Sequence, residues 1–138
     1  MIVWYRFPMR LIGIDYGTKR VGIALSDEAG QFAMPHCVIP NSRSLSTGLA
    51  DQIGEIAAKN VVKEAVMGES KDYKGEANDA MSGALELKKQ LEAAGLVVHL
   101  EPEFMTSAQA ERLQGKNDQS DASAAALILQ AYIDKDKK

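Results

Sequence analysis

Leu11-Ile12-Gly13-Ile14-Asp15-Tyr16-Gly17-Thr18-Lys19-Arg20-Val21-Gly22-Ile23-Ala24-Leu25 is the stretch that decides the fold. Leu11 to Ile14 is a short apolar run closed by Asp15, and Tyr16-Gly17-Thr18 has the composition of a turn. Val21 to Leu25 is a second apolar run, so two closely joined strands are expected to pair antiparallel as a hairpin. Phe32 to Ile39 predicts a third strand, in which Pro35 marks a sheet edge or a distortion because it has no N–H to donate. Upstream, Met9 directly precedes the first strand, and residues 1–8 read as an N-terminal extension.

Downstream the periodicity changes. Leu49, Ile53, Ile56 and Ala57 recur at helical spacing, and the Ser-rich stretch before them offers N-caps. Ala65-Val66-Met67-Gly68 predicts a fourth strand. Ala77, Met81, Ala84, Leu85 and Leu91 form a second helical stripe that stops at Gly95, and Leu96 to Leu100 predicts a fifth strand. Thr106 or Ser107 can cap a short helix through Leu113. Asp118 or Ser120 opens a last helix with Ala125, Ile128, Leu129 and Tyr132 on its apolar face. The expected fold is one α/β domain over residues 9–133, followed by a solvated charged tail at 134–138. The opening meander is antiparallel and the later βαβ units favour parallel pairing, so the sheet is expected to be mixed.

The composition narrows the function. In 138 residues, 46% are hydrophobic and 25% charged, which supports a buried core and excludes a disordered chain. The single Cys37 excludes a disulfide scaffold and fits a reducing cytoplasm. No apolar run approaches the roughly 18–20 residues of a membrane span, so no membrane partner is expected. A net charge of −3 disfavours coating of nucleic acid by bulk electrostatics, but leaves room for phosphates met through a metal ion.

Parallel α/β sheets hold their sites beyond the carboxyl ends of the strands. Acids fall there at Asp15, at Glu69, and at Glu101 with Glu103 in a loop around Pro102, while Asp118 or Asp121 opens the last helix. Carboxylates gathered from separate elements repel unless a cation neutralises them, and oxygen-rich sets suit Mg²⁺ or Mn²⁺. Two such ions about 4 Å apart can hold an attacking water and a leaving oxygen in line. Each acid also has a structural role open to it: Asp15 in capping its turn, Glu69 as a solvated loop residue, Asp121 at a helix N-terminus. His36 and His99 lack metal-ligand spacing and read as structural. Thr18, Lys19, Arg20, Lys71, Lys74 and Arg112 are the candidates for contact with a phosphate backbone.

The segment from Gly13 to Ala24 closely resembles the opening motif of the YqgF/RuvX family, bacterial proteins described as Holliday junction resolvases and pre-16S ribosomal RNA nucleases. The resemblance continues through Gly68 to Gly75, Thr106 to Leu113, and Asp121 to Tyr132, in order. It implies an RNase H-like fold, a five-stranded mixed sheet with helices on both faces. It also implies a metal-dependent endonuclease whose acids are Asp15, Glu103 and Asp121, acting on precursor rRNA or branched DNA; a junction cutter needs two sites and hence a homodimer. The chain departs from the family where Asp-Glu-Arg is usual and Pro102-Glu103-Phe104 stands. Glu69 closes the fourth strand, where related nucleases often carry an acid, and can supplement or replace Glu103. A second reading is a domain of the same fold that binds structured nucleic acid without cutting it. A third, an ATPase using the Asp15-Tyr16-Gly17-Thr18 turn as a phosphate loop, needs a second lobe for which the chain is too short.

Overall fold

Burial of apolar runs on both faces of a sheet dictates the architecture. The computed structural model of the chain describes residues 10–17, 19–41, 48–69, 79–102 and 118–136. Five strands form one sheet: β1 (Leu11–Tyr16), β2 (Arg20–Ser26), β3 (Ala33–Pro40), β4 (Glu64–Glu69) and β5 (Val97–Pro102), in the spatial order β3-β2-β1-β4-β5. The hairpin forms as expected, with Ile12 opposite Leu25 and Asp15 opposite Gly22 in antiparallel register. β4 runs parallel to β1, with Ile14 beside Met67, and β5 runs parallel to β4, with Gly68 beside Glu101. β3 is an edge strand, and its register against β2 shifts where Ile23 pairs Cys37 but Ala24 pairs Pro35, leaving His36 bulged. A proline at a bulged edge costs no ladder hydrogen bond.

Strand alternation sorts the core into two layers. Ile12, Ile14, Ile23, Ala65, Met67 and Val98 point to one face and pack against Ile53 and Ala57 of α1 (Leu49–Lys59) and Leu87 and Leu91 of α2 (Asp79–Ala93). Ala24 and Val66 point to the other face and meet Ala125, Ile128, Leu129 and Ile133 of α3 (Asp118–Asp136). That face also carries Gly13, where an added Cβ would stand 2.8 Å from the Ala125 carbonyl oxygen and 2.8 Å from Leu129 Cβ. On the opposite face Gly83 performs the same service, because the Tyr16 ring occupies the space its side chain would need.

Several local features differ from expectation. α1 is capped at Gly48 without a side-chain hydrogen bond, so the Ser-rich stretch does not supply the cap; the Gly48 carbonyl accepts from the Asp51 amide at 2.9 Å instead. β5 continues to Pro102, which places Glu101 inside the strand rather than in a loop. α3 continues through Asp134 and Lys135, assigned above to a solvated tail, because Asp134 accepts from Gln130 at 3.0 Å and Lys135 pairs with Glu101. Gly95 ends the turn after α2 at a φ of +103°, a left-handed conformation that glycine adopts without strain. Residues 1–8 and the expected helix from Thr106 or Ser107 to Leu113 lie outside the described residues. No described helix is long and apolar enough to cross a membrane.

The β2–β3 turn is tied by Asp27, whose Oδ1 accepts from the Gln31 and Phe32 amides at 2.7 and 2.9 Å. The Phe32 amide first, then Gln31, holds its carboxyl below the ordinary value of 3.8. A lowered folded pKa means stability present above the unfolded value and lost as pH falls through the folded one. Exchange of the Gln31 and Phe32 amide protons is therefore expected to quicken, relative to the sheet amides, as pH drops below 3.8, measured by NMR. Gly13→Ala is expected to lower unfolding stability by about 1–3 kcal/mol in urea denaturation, because backbone as well as a side chain blocks the new methyl.

Candidate active site

At the carboxyl ends of the parallel strands, alternation builds a row on the α3 face. Asp15 lies opposite Gly22 of β2. The β1–β4 register, printed through Ile14 and Met67, sets Asp15 beside Gly68 one step further on, and Gly68 pairs with Glu101 of β5. The row therefore reads Gly22, Asp15, Gly68, Glu101. Glycines on both sides of Asp15 contribute no side chains to this row. With strands about 4.8 Å apart, the Asp15 and Glu101 backbones are separated by about 10 Å. Glu69 closes β4 as expected, but its pleat is shared with Ala65 and Met67 and sets it beside Tyr16 on the opposite face.

Asp121 lies in the first turn of α3, one turn before Ala125, whose carbonyl rests on Gly13. Asp15 and the helix bearing Asp121 thus occupy one face of the sheet. The Asp121 side chain lies outside the described residues, as do Glu103, one residue past the end of β5, and Thr18, Lys71, Lys74 and Arg112. Lys19, in the turn after β1, and Arg20, the first residue of β2, stand exposed. Asn41 braces that turn: its amide donates to the Lys19 carbonyl at 2.9 Å and its Nδ2 to the Gly17 carbonyl at 2.8 Å. Among the described residues no three His, Cys, Asp or Glu side chains converge as a metal site. The donor chemistry nevertheless fits a hard cation, since the described candidate and its expected partners are all carboxylates. Burial pushes the Cys37 thiol pKa up, so at neutral pH it remains a protonated, weak nucleophile.

Sequence patterning missed the role of Lys135. Glu101 is 5% exposed, and its Oε2 accepts from Lys135 Nζ at 2.7 Å. Beside this pair His99 Nε2 lies 2.9 Å from Glu64 Oε1, and its ring stacks on Tyr132 with centroids 5.1 Å apart. His99 is structural, as expected. His99, Glu101, Tyr132 and Lys135 line a groove of about 520 Å³ along β5 together with Lys88, which is held by Glu92 at 2.9 Å. Its charged lining consists of Lys88, Lys135 and Glu101. A signal for Lys135 did exist: Ile128, Tyr132 and Lys135 fall at i, i+4 and i+7, on one face of the helix, past the point where charge alone suggested a tail.

Residues 9–135 match the family model described as RuvX, Holliday junction resolvase. A protein of Novosphingobium aromaticivorans named as a candidate pre-16S rRNA nuclease is 36% identical over 132 residues, covering 90% of this chain and 84% of that protein. One of the same name from Moorella thermoacetica is 33% identical over 136 residues, covering 92% and 96%. Among solved structures, T. thermophilus RuvC in complex with a Holliday junction substrate superposes with a TM-score of 0.60 at 15% identity, covering 94% of this chain and 96% of that one. At that identity the likeness concerns the fold, which is RNase H-like, as the sequence resemblance implied.

Proposed function

The chain belongs to the RuvX family of Holliday junction resolvases, and from that premise we propose that it is a divalent-metal-dependent endonuclease of structured nucleic acid, trimming precursor 16S rRNA in the cytoplasm. The observation that carries this reading is the position of Asp15, at the carboxyl end of the central strand, on the α3 face, between two glycines. Two relatives bearing the pre-16S rRNA nuclease name make precursor rRNA the first substrate to test, and the family description makes a four-way DNA junction the second. Cutting a junction symmetrically would require two copies of the chain.

In this reading Asp15, Glu103 and Asp121 hold Mg²⁺ or Mn²⁺. When bound, the metal supplies an activated water and neutralises charge on the leaving oxygen. The chain's own residues do the rest. Gly22 and Gly68 flank Asp15 without side chains, which lets a phosphodiester approach the backbone closely. Lys19, in the turn braced by Asn41, and Arg20, at the start of β2, offer donors to phosphates flanking the cut, and Thr18 is a further candidate donor. Lys71, Lys74 and Arg112 are further candidates for phosphate contact. Glu69, on the opposite pleat, stands outside the ligand set and orders the strand end beside Tyr16.

The Pro102-Glu103-Phe104 segment, which lacks the charges usual beside this acid in the family, favours a second reading: binding without cleavage. A panel of precursor 16S RNA, single-stranded RNA, duplex DNA and a synthetic four-way junction, each with Mg²⁺ or Mn²⁺, separates the two. Cleavage of precursor RNA is expected, and Asp15→Asn should reduce it by at least about a hundredfold while Glu69→Gln stays within about tenfold of wild type. Binding with no cleavage by wild type under either ion would establish the second reading, and full activity of Asp15→Asn would remove the first.

A further inference from the structure

The sheet has two edges, and they are finished differently. At the β3 edge the Ala33 amide donates to Gln130 Oε1 at 2.8 Å, and Gln130 Nε2 donates to the Gln31 carbonyl at 3.1 Å. The Gln130 carboxamide thus stands on β3 as the peptide group of another strand would. Beyond it Pro35 has no N–H and His36 is bulged, which closes that edge to further pairing. β5, at the other edge, carries neither a proline nor a register shift before Pro102.

The Val97 amide donates to the Lys63 carbonyl at 3.0 Å, and this sets the phase of the β4–β5 ladder. In a parallel ladder alternate residues turn both backbone groups to the same neighbour. Val97, His99 and Glu101 therefore face β4, while the N–H and C=O of Val98 and Leu100 point out of the sheet. Among the described residues no strand lies beyond them. They open into the groove of about 520 Å³, whose walls come from helices on opposite faces of the sheet. Lys88 of α2 lines one wall, and Tyr132 and Lys135 of α3 line the other.

We propose that the β5 edge receives an extended acidic segment of a partner protein, added to the sheet as a sixth strand. Two outward donors alternating with two acceptors match a peptide backbone, whereas a phosphodiester has no donor for the two carbonyls. The preferred charge follows from what solvent meets in the groove. Lys135 is 62% exposed and its Glu101 partner 7%, so that wall presents the ammonium and not the carboxylate. On the other wall Lys88 is held by Glu92, which is not part of the lining. An ammonium has three donors, so each lysine can take a second carboxylate beside its present partner. Successive side chains of an added strand point to opposite faces, so two adjacent acids reach one wall each.

The experiment is NMR titration of the isotope-labelled full chain with a capped heptapeptide of Val and Thr carrying two adjacent Glu at its centre. Saturable shifts are expected at the Val98 and Leu100 amides, whose exchange with solvent should slow about tenfold with free peptide at about ten times its Kd. A peptide with Lys in place of both Glu should bind at least about tenfold more weakly, and Lys88→Glu should weaken the Glu peptide by a similar factor. Circular dichroism checks that Lys88→Glu folds as wild type does. N-methylation of the Glu peptide at alternate residues, in the phase that faces β5, removes its donors and should abolish the shifts. Absence of shifts at Val98 and Leu100 with the Glu peptide in large excess, or equal binding of the Glu and Lys peptides, would overturn the proposal. So would the same shifts appearing on concentrating the chain without peptide, which assigns the edge to a second copy. Protection of these amides by single-stranded RNA, displaced by the peptide, would assign it to nucleic acid and overturn the proposal equally.

Discussion

The absence of a side chain at Gly13 is the constraint on which the rest of the molecule depends. It lets the Ala125 carbonyl and Leu129 settle against the central strand. A single helix then covers a face shared by all five strands, while α1 and α2 cover the other. The buried side chains along α3 are accordingly short toward its start, where Ala122, Ala124 and Ala125 lie, and longer beyond, at Ile128, Leu129 and Ile133. The same closeness brings the first turn of that helix to the face on which Asp15 stands. Packing and chemistry here share one cause.

Electrostatics explain how a chain of net charge −3 can handle a polyanion. The acids are divided by the pleat. Asp15 and Glu101 face α3, as does Glu64 at the start of β4, and Glu69 faces the other way. Glu101 and Glu64 are each matched inside the protein, by Lys135 and His99. In the proposed metal-dependent reading, a divalent ion among the remaining acids would reverse the local sign and meet phosphate there. In the same reading the exposed Lys19 and Arg20, close to Asp15 along the chain, would add attraction for phosphate.

Much of this was legible in the residue order. Short apolar runs separated by Tyr16-Gly17-Thr18 specify a hairpin because the strand period is two and the link is too short for a crossover. The helical stripes at Leu49–Ala57 and Ala84–Leu91 predict α1 and α2 for the same kind of reason, and Gly95 marks its stop. An acid closing an otherwise apolar strand singled out Asp15, and the order of four motifs identified the family. Where local patterning failed, a distant partner had intervened. Charge at Asp134 and Lys135 suggested a tail, yet helix persists there because Glu101, far away in sequence, accepts from Lys135. Glu101 seemed a loop residue beside Pro102, yet an edge strand tolerates a proline at its end and carries the acid inward.

The sequence by itself thus determined the strand and helix order, the mixed sheet, the family and the acid at Asp15, because each follows from periodicity or from residues that are neighbours along the chain. Tertiary structure alone decided which acids share a face. Separating Glu69 from Asp15 depends on the parallel register between β1 and β4, in which a shift of one residue would exchange their sides of the sheet. It also decided that Gly13 serves as the seat of α3 and that Lys135 is the counter-charge of Glu101, since both depend on the approach of segments more than thirty residues apart, as Lys135 and Glu101 are.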